Sequence, residues 1–451
     1  MQTVGEHSPV QKDRHIIDAQ LVPSGRLSRL ARFGSLASGV MGNIALNSAQ
    51  QLVQGQRPNW NRLLLSTANA QRLAGQLAQM RGAAMKVGQL MSMDTGTVFP
   101  PEFADVLARL RSEAHAMPPA QLKRVLTANW GPKWLRQFKQ FEARPIAAAS
   151  IGQVHRAKTH DGAKLAIKIQ YPGVRQSIDS DVDNIALLIK LSGLLPDDLD
   201  ISPLLKQAKQ QLHEEADYQR EGAFLRRFGG LLAAQEAFLV PKLHDMLTTP
   251  DILTMSYLEG TPVEALYDAP QAERNRVVEQ LVCLLLRELF DFQLMQTDPN
   301  FANYQYNETT RQLNLLDFGA TRELPLALAC KFRTLLRAGL SQDTAGIRQA
   351  LLDIGYFNAT TAPHHLRTIE NLFQQIMAPF QTNSTFDFAD TTFAARLRDA
   401  AKELGSDGNF WHIPPFDTLY LHRKFGGIYL LANRLRAKVN INHLLQPYAR
   451  R

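Results

Sequence analysis

The chain has 451 residues, of which 45% are hydrophobic and 20% are charged. This balance is typical of globular proteins and excludes an intrinsically disordered chain, and the length suffices for about two or three domains. The formal net charge of +8 favours anionic partners such as nucleotides or acidic lipid headgroups.

Membrane-spanning and secreted classes are not indicated by the pattern. Charged residues interrupt the apolar runs at 185–195 and 277–292, so we predict no transmembrane helix. Cys283 and Cys330 lie in apolar helical settings without metal-ligand spacing, which predicts buried free thiols in a reducing compartment. The N-terminus lacks an apolar signal core. We expect a cytoplasmic protein, with peripheral attachment at the inner membrane as the further possibility.

The N-terminal part of the chain is polar at first and then helical. Residues 1–25 predict a flexible leader. Apolar residues recur at helical spacing beside arginines across 26–44, which predicts a basic amphipathic helix. Two interpretations remain open for this helix: it lies on an anionic membrane surface, or it docks on the rest of the protein.

A second helical block over 62–94 contains Lys86-Val-Gly-Gln89. Lys86 and Gln89 are three residues apart and therefore lie on one helix face. Taken alone, they indicate no more than a polar pair on a surface. Pro118-Pro119 then opens another helix.

Between residues 142 and 260 the pattern changes to strands. Alternating residues over 151–158 and 164–170 flank Asp161-Gly162, which predicts a hairpin with Lys168 on its second strand. Before the hairpin, Pro145-Ile-Ala-Ala-Ala-Ser-Ile-Gly152 forms an alanine-rich turn. Alanine carries a β-carbon, so this turn restricts the approach of the backbone to a phosphate more than glycines do.

Lys168 in Leu-Ala-Ile-Lys has the setting of a strand lysine that holds α- and β-phosphates while it pairs with a helix glutamate. Residues 179–195 and 204–228 predict helices, and further strands are expected at 238–243 and 252–258. The predicted partner of Lys168 is Glu215, with Glu214 as the competitor by spacing alone.

The segment Gln296-Thr-Asp-Pro-Asn-Phe-Ala-Asn303, followed by Asp317-Phe-Gly319, is the most specific pattern in the chain. In protein-kinase active sites, a catalytic-loop Asp orients the attacking hydroxyl, an Asn five residues later binds one metal ion, and the Asp of Asp-Phe-Gly binds the other. Asp298, Asn303 and Asp317 fit these roles. Residues 304–316 alternate around a turn and predict a hairpin that leads to Asp317.

Together these motifs resemble the UbiB family of atypical kinases, also called the aarF-domain or ADCK family, in its coenzyme Q branch. The resemblance rests on Lys86-Val-Gly-Gln89, the Ala147–Ser150 turn, Lys168, Glu215-Ala-Asp217 with Glu221, and the Asp298 to Asp317 motifs. It implies an α+β, protein-kinase-like fold of two lobes with an N-terminal helical extension packed over the active site. We assign the leader to 1–25, the extension to 26–141, the strand-rich lobe to 142–260 and the helical lobe to 261–451.

The resemblance also assigns roles to individual residues. Lys86 and Gln89 would occupy the pocket region, with Glu221 holding Lys86, and Lys168 would pair with Glu215. Ala147, Ala148, Ala149 and Ser150 would cover the phosphates, Met255 and Leu258 would contact adenine, and Asn303 and Asp317 would bind Mg or Mn. Asp298 takes the catalytic-loop position. The C-terminal segment over 421–437 is basic and amphipathic rather than membrane-spanning.

These observations predict an ATP-dependent atypical kinase or ATPase that binds Mg-ATP and ADP and supports ubiquinone biosynthesis on or near membrane lipid intermediates. Expected partners are nucleotides, an anionic membrane surface, polyprenyl-phenol intermediates and quinone-biosynthesis proteins, but no nucleic acid. One competing hypothesis is a kinase that transfers phosphate to an unknown protein or small molecule. The other is a nucleotide-sensing scaffold without useful turnover.

Overall fold

A computed structural model describes Ala83 and residues 116–191, 201–406 and 414–450. The leader, the basic amphipathic helix, the block over 62–94 with Lys86 and Gln89, and most of the expected extension lie outside the described residues. Pro119 begins the helix predicted there, which runs to Trp130.

The first sheet has five strands and carries Lys168. β3 and β4 form the predicted hairpin, in which Val154 pairs with Lys168, and Gly162 adopts φ +95° in the connecting turn. The strand order is β1-β3-β4-β6, with β2 paired to β3, and all pairs are antiparallel. The strands are β1 Gln140–Phe141, β2 Ala147–Ala148, β3 Gly152–Lys158, β4 Lys164–Gln170 and β6 Ile252–Ser256.

The helix predicted over 204–228 is in fact two helices, and the prediction of one was wrong. The helical conformation is interrupted at Ala216–Asp217. There the Asp217 carboxylate accepts a hydrogen bond from Arg220 N at 3.0 Å and so caps the second helix. The break separates Glu215 from Glu221. The helices of the described N-terminal half are α1 Pro119–Trp130, α2 Val174–Leu191, α3 Ser202–Glu215 and α4 Tyr218–Leu231.

A second sheet carries the predicted hairpin that precedes Asp317, with order β5-β10-β9-β7. Of the two strands predicted near 238 and 252, only the second joins the first sheet, because β5 pairs parallel with β10. In a further small sheet, β8, which precedes the catalytic-loop segment, pairs with β11, which follows Asp317-Phe-Gly319. The remaining strands are β5 Phe238–Leu239, β7 Thr261–Pro262, β8 Leu294–Gln296, β9 Tyr304–Asn307, β10 Gln312–Leu315, β11 Thr321–Glu323, β12 Phe386–Asp387 and β13 Lys438–Val439.

Helices dominate after residue 270 and enclose the largest core. α5 is buried along Val277, Leu281 and Leu285, and it packs on the C-terminal helices and on the hairpin strands. This apolar burial is the main force that holds the region together. The helices are α5 Gln271–Phe290, α6 Leu326–Leu340, α7 Thr344–Ile354, α8 Pro363–Met377, α9 Thr391–Ser406, α10 Phe416–Arg434 and α11 Ile441–Arg450.

Two composition-based expectations can be compared with this architecture. Within the described ranges, no helix has the length and apolar character needed to cross a bilayer. Cys283 and Cys330 are free thiols, as predicted, but Cys330 is exposed and Cys283 only half-buried. The prediction of burial was wrong for Cys330, since it faces away from the core side of α6.

Candidate active site

Lys168 lies at the centre of a cluster of charged side chains. Its Nζ is 3.0 Å from both carboxylate oxygens of Glu221 and 3.0 Å from Oδ2 of Asp317. Lys168 and Glu221 are 7% and 0% exposed, whereas Asp317 is 31% exposed. Asp317 therefore forms the solvent-facing side of the cluster.

Burial and the neighbouring charges shift the pKa values of Lys168 and Glu221. Burial opposes the charge of Lys168, but the carboxylates of Asp317 and Glu221 outweigh it and hold the lysine pKa well above its ordinary value. Burial also raises the pKa of Glu221 to about 7, against the opposing effect of Lys168. Above that pH, the cluster of one ammonium and two carboxylates has a net charge of −1, which favours a cation beside Asp317.

Glu215 is not the partner of Lys168, contrary to the sequence prediction. It is the last residue of α3 and accepts a hydrogen bond from the Ser150 hydroxyl. Glu214, the competitor, accepts from Arg322 at 3.1 Å instead. Because α3 ends at Glu215, Glu214 and Glu215 do not reach the lysine. Glu221, in the first turn of α4, does.

The alanine-rich turn lies beside this cluster. Ala147 and Ala148 pair with β3, and Ala149 N donates to Gly152 O at 2.8 Å, which closes the turn. A β-carbon on Gly152 would lie 2.4 Å from the carbonyl oxygen of Ile169, so the close contact of the turn with β4 requires glycine. Ser150, expected at the phosphates, is tied to Glu215 in this arrangement.

The segment expected at adenine follows β6. Met255 is buried and pairs with Ala166 on β4. Leu258 is half-buried in the extended segment between β6 and β7. Their placement next to the lysine strand is compatible with a contact to the base, which stays a prediction.

The catalytic-loop motif is held by two partners of Asp298. Asn303 Nδ2 lies 3.3 Å from the carbonyl oxygen of Asp298 and 3.4 Å from its Oδ2. Arg423 Nη2 donates to Oδ1 of Asp298 at 2.8 Å. Leu316 N donates to Asn303 O at 3.0 Å, which brings Asn303 alongside the residue that precedes Asp317.

Asn303 and Asp317 provide the donors that a magnesium or manganese ion takes. The amide nitrogen of Asn303 is the donor to Asp298, which leaves its Oδ1 for a cation, and Asp317 supplies a partly exposed carboxylate. Hard oxygen ligands from one or two side chains, completed by substrate phosphates, suit Mg²⁺. The donor chemistry therefore fits the implied metal.

The ABC1 atypical kinase-like domain matches residues 109–351. The chain belongs to this family. It is 37% identical over 447 residues to "Atypical kinase COQ8, mitochondrial" of Saccharomyces cerevisiae, which covers 98% of this chain and 88% of that protein. The Schizosaccharomyces pombe protein of the same name is 35% identical over 443 residues, with 97% and 72% covered.

Among solved structures, the erythromycin complex of Rv3197 from Mycobacterium tuberculosis matches with a TM-score of 0.60 at 23% identity, covering 86% of this chain and 97% of that chain. This likeness concerns the fold. The expected kinase-like α+β architecture and the resemblance to UbiB and COQ8 proteins are confirmed. The predicted enzyme class, an ATP-dependent atypical kinase or ATPase, is that of the family.

The sequence did not identify three residues that hold the site of this ABC1-family chain together. Arg220 Nη1 and Nη2 donate to the carbonyl oxygens of Gly319 and Thr321 at 3.0 and 2.6 Å, and so tie α4 to the Asp-Phe-Gly segment. Arg423 and Lys424 lie in α10, whose sequence was interpreted as a basic amphipathic helix. The available signal was the neighbouring basic pair inside an apolar pattern followed by Gly-Gly, which indicates buried charge and close backbone contact rather than a solvated face.

Proposed function

We propose that this chain is an ATP-dependent atypical kinase or ATPase that supports ubiquinone biosynthesis, with nucleotide turnover at the Lys168 cluster. The observation that carries the proposal is the contact of Lys168 with both Glu221 and Asp317 at 3.0 Å. This arrangement places a fixed cation and a partly exposed carboxylate together, as phosphoryl transfer requires. The coenzyme Q assignment is supported by the names of the COQ8 relatives.

In this proposal, each residue has a separate task. Lys168 holds the α- and β-phosphates, and Glu221 keeps its ammonium in place because both carboxylate oxygens contact it. Asn303 and Asp317 hold Mg or Mn, which neutralises phosphate charge when bound. Asp298 orients the attacking hydroxyl or water.

The Ala147–Ser150 turn covers the phosphates, and Met255 and Leu258 face the adenine. Because the alanine side chains limit backbone approach to the phosphates, we expect this turn to set the preference between ATP and ADP. Lys86 and Gln89, which lie outside the described residues, remain assigned to the pocket region.

The test is phosphate release by the purified chain with Mg and ATP, measured with and without anionic liposomes and phenolic quinone precursors. We expect turnover that Asp317→Asn abolishes. Asp245→Asn is the matched control, since Asp245 is an exposed carboxylate in an ion pair with Arg226. No release above the Asp317→Asn level under any of these conditions contradicts the ATPase form of the proposal.

Two further measurements separate the competing functions. Transfer of label from γ-labelled ATP to a defined acceptor identifies a protein or small-molecule kinase. Restoration of quinone levels by Asp317→Asn, in a strain that lacks its own family member, identifies a scaffold without turnover.

We place the protein at an anionic membrane surface, where it acts on or near polyprenyl-phenol intermediates and quinone-biosynthesis proteins. The net charge of +8 supports this placement. Sedimentation with anionic vesicles, but not with neutral vesicles, is expected, and equal sedimentation with both contradicts an electrostatic attachment.

A further inference from the structure

Lys424 is a buried cation that joins the two ends of the catalytic loop. Its side chain is 1% exposed. Nζ donates to the carbonyl oxygen of Gln296 at 2.7 Å and to the hydroxyl of Tyr304 at 2.9 Å. Since Gln296 precedes Asp298 and Tyr304 follows Asn303, one ammonium group holds both sides of the segment that carries the catalytic aspartate and the metal-binding amide.

The charge of Lys424 is kept by a buried partner. Glu288 Oε2 of α5 lies 3.2 Å from Nζ and is equally buried, while Glu288 Oε1 accepts from Gln296 N at 3.2 Å. Burial disfavours the charge on Lys424, but Glu288 and Tyr304 outweigh it and raise the lysine pKa. Burial also raises the pKa of Glu288, and Lys424 opposes that effect. The two groups lie 3.2 Å apart and hold the loop from α5 and α10 together.

Arg423, the preceding residue of α10, contacts the catalytic aspartate itself through the 2.8 Å bond to Oδ1. Between Asp298 and Asn303 the loop contains only Pro299, Asn300, Phe301 and Ala302, so it has no cationic side chain of its own there. The positive charge beside Asp298 is supplied from α10. The Arg423 guanidinium also fixes the orientation of the Asp298 carboxylate. Oδ1 accepts from Arg423, while Oδ2 faces Asn303 Nδ2 at 3.4 Å.

The backbone of α10 adds a steric contact one turn further on. A β-carbon on Gly427 would lie 2.2 Å from Cβ of Pro299. The helix backbone therefore lies so close to the loop that this position requires glycine. Gln296, Asp298 and Pro299 are thus each held by a different residue of the same helix.

We propose that α10 is a brace for the catalytic loop, in which Lys424 ties the two ends of the loop and Arg423 positions Asp298 for reaction. The catalytic part of this inference rests on the proposed function, whereas the bracing itself is independent of it. Arg423 and Lys424 act through Asp298 and the loop and are positioning residues.

The test uses the full chain and variants that keep the buried Lys424–Glu288 pair. Arg423→Gln removes the contact with Asp298, Arg423→Lys keeps its charge, and Tyr304→Phe removes one hydroxyl from Lys424. Arg434→Gln is the matched control, because Arg434 lies on the same helix in a half-exposed ion pair with Glu264.

We expect Arg423→Gln to lower kcat for ATP turnover roughly tenfold to a hundredfold through misplacement of Asp298, with little change in the KM for Mg-ATP. Arg423→Lys should recover part of this loss, and Arg434→Gln should behave like the wild type. An equal loss of kcat in Arg434→Gln overturns the positioning role. So does a loss of kcat/KM in Arg423→Gln that comes entirely from a higher KM.

Amide hydrogen exchange tests the brace without any activity. Exchange across residues 294–303 should be faster in Arg423→Gln and in Tyr304→Phe than in the wild type or Arg434→Gln. Unchanged exchange in both variants overturns the proposal whatever the kinetics show. If the wild type turns over no ATP, the proposed function fails by itself, and the exchange measurement still decides whether α10 braces the loop.

Discussion

At the residue scale, the decisive assignment is that Lys168 pairs with Glu221 and Glu215 binds Ser150. Both glutamates lie in one acidic stretch, yet they act on different parts of the site. In the proposed function, one fixes the cation that binds phosphate, and the other holds the turn that covers the phosphates. Substitutions at the two positions should therefore have different effects.

We predict that Glu221→Gln weakens Mg-ATP binding about tenfold, because Lys168 loses the carboxylate that contacts its ammonium with both oxygens and is misplaced. Glu215→Gln should leave Lys168 paired and weaken binding much less. Isothermal titration of both variants measures the difference. Equal losses contradict the separate roles.

Gly152 gives a second prediction at this scale. Gly152→Ala places a β-carbon 2.4 Å from the backbone oxygen of Ile169 and 2.9 Å from the Tyr218 hydroxyl, and should reduce the free energy of unfolding by about 1–3 kcal/mol. Gly230→Ala in α4 is the control, since nothing lies within 4 Å of that β-carbon. In urea denaturation, Gly152→Ala should lose more of the free energy of unfolding than Gly230→Ala. A Gly152→Ala protein as stable as the control contradicts the contact.

At the scale of elements, a buried hydrogen-bond chain ties β3 to its surroundings. Met117 N donates to Gln153 Oε1 at 2.7 Å, the Gln153 amide lies 2.7 Å from His155 Nε2, and His155 Nδ1 lies 2.8 Å from Glu142 O. Since the amide and the carbonyl fix the donor and acceptor roles, His155 is neutral with its proton on Nδ1. Burial lowers its pKa.

The pH dependence follows from that direction. A histidine with a lowered pKa in the folded state contributes stability above its ordinary value near 6.5, and this contribution is lost as the pH falls below it. We predict that His155→Gln flattens the decline in the free energy of unfolding between pH 7 and 5. His160→Gln, at an exposed position, should retain the wild-type decline, and identical profiles for both variants contradict the interpretation.

The sequence predicted the elements that depend on short spacing and missed those that depend on tertiary pairing. Lys168, Asp298, Asn303 and Asp317 each belong to a local pattern, and the two hairpins that carry them have local alternation and turn residues. The break at Ala216–Asp217 interrupts an otherwise continuous helical pattern, so the wrong glutamate was paired with Lys168. Arg423 lies 125 residues from Asp298, a distance over which no local pattern predicts contact.

At the scale of the whole molecule, the proposed nucleotide site combines residues of the first sheet, α4 and the second sheet. A ligand that contacts all three stabilises the folded state by mass action, about 2.7 kcal/mol at a hundredfold excess over Kd. We predict that Mg-ATP raises the melting temperature by several degrees in the wild type. Chelation of the metal or Asp317→Asn should remove most of the shift, as measured by thermal unfolding, while Asp245→Asn should keep it; a full shift without metal contradicts the assigned ligands.

The parallel pairing of β5 with β10 links the two carboxylates that contact Lys168 through the backbone. β5 follows α4 after a short connection, and its backbone bonds to β10, with Leu313 N donating to Ala237 O at 2.8 Å, tie the helix of Glu221 to the hairpin that delivers Asp317. Glu221 and Asp317 are therefore connected by main-chain hydrogen bonds as well as through Lys168. Substitutions that weaken the pairing of β5 with β10 should disturb the Lys168 cluster from a distance, with every charged residue of the cluster intact.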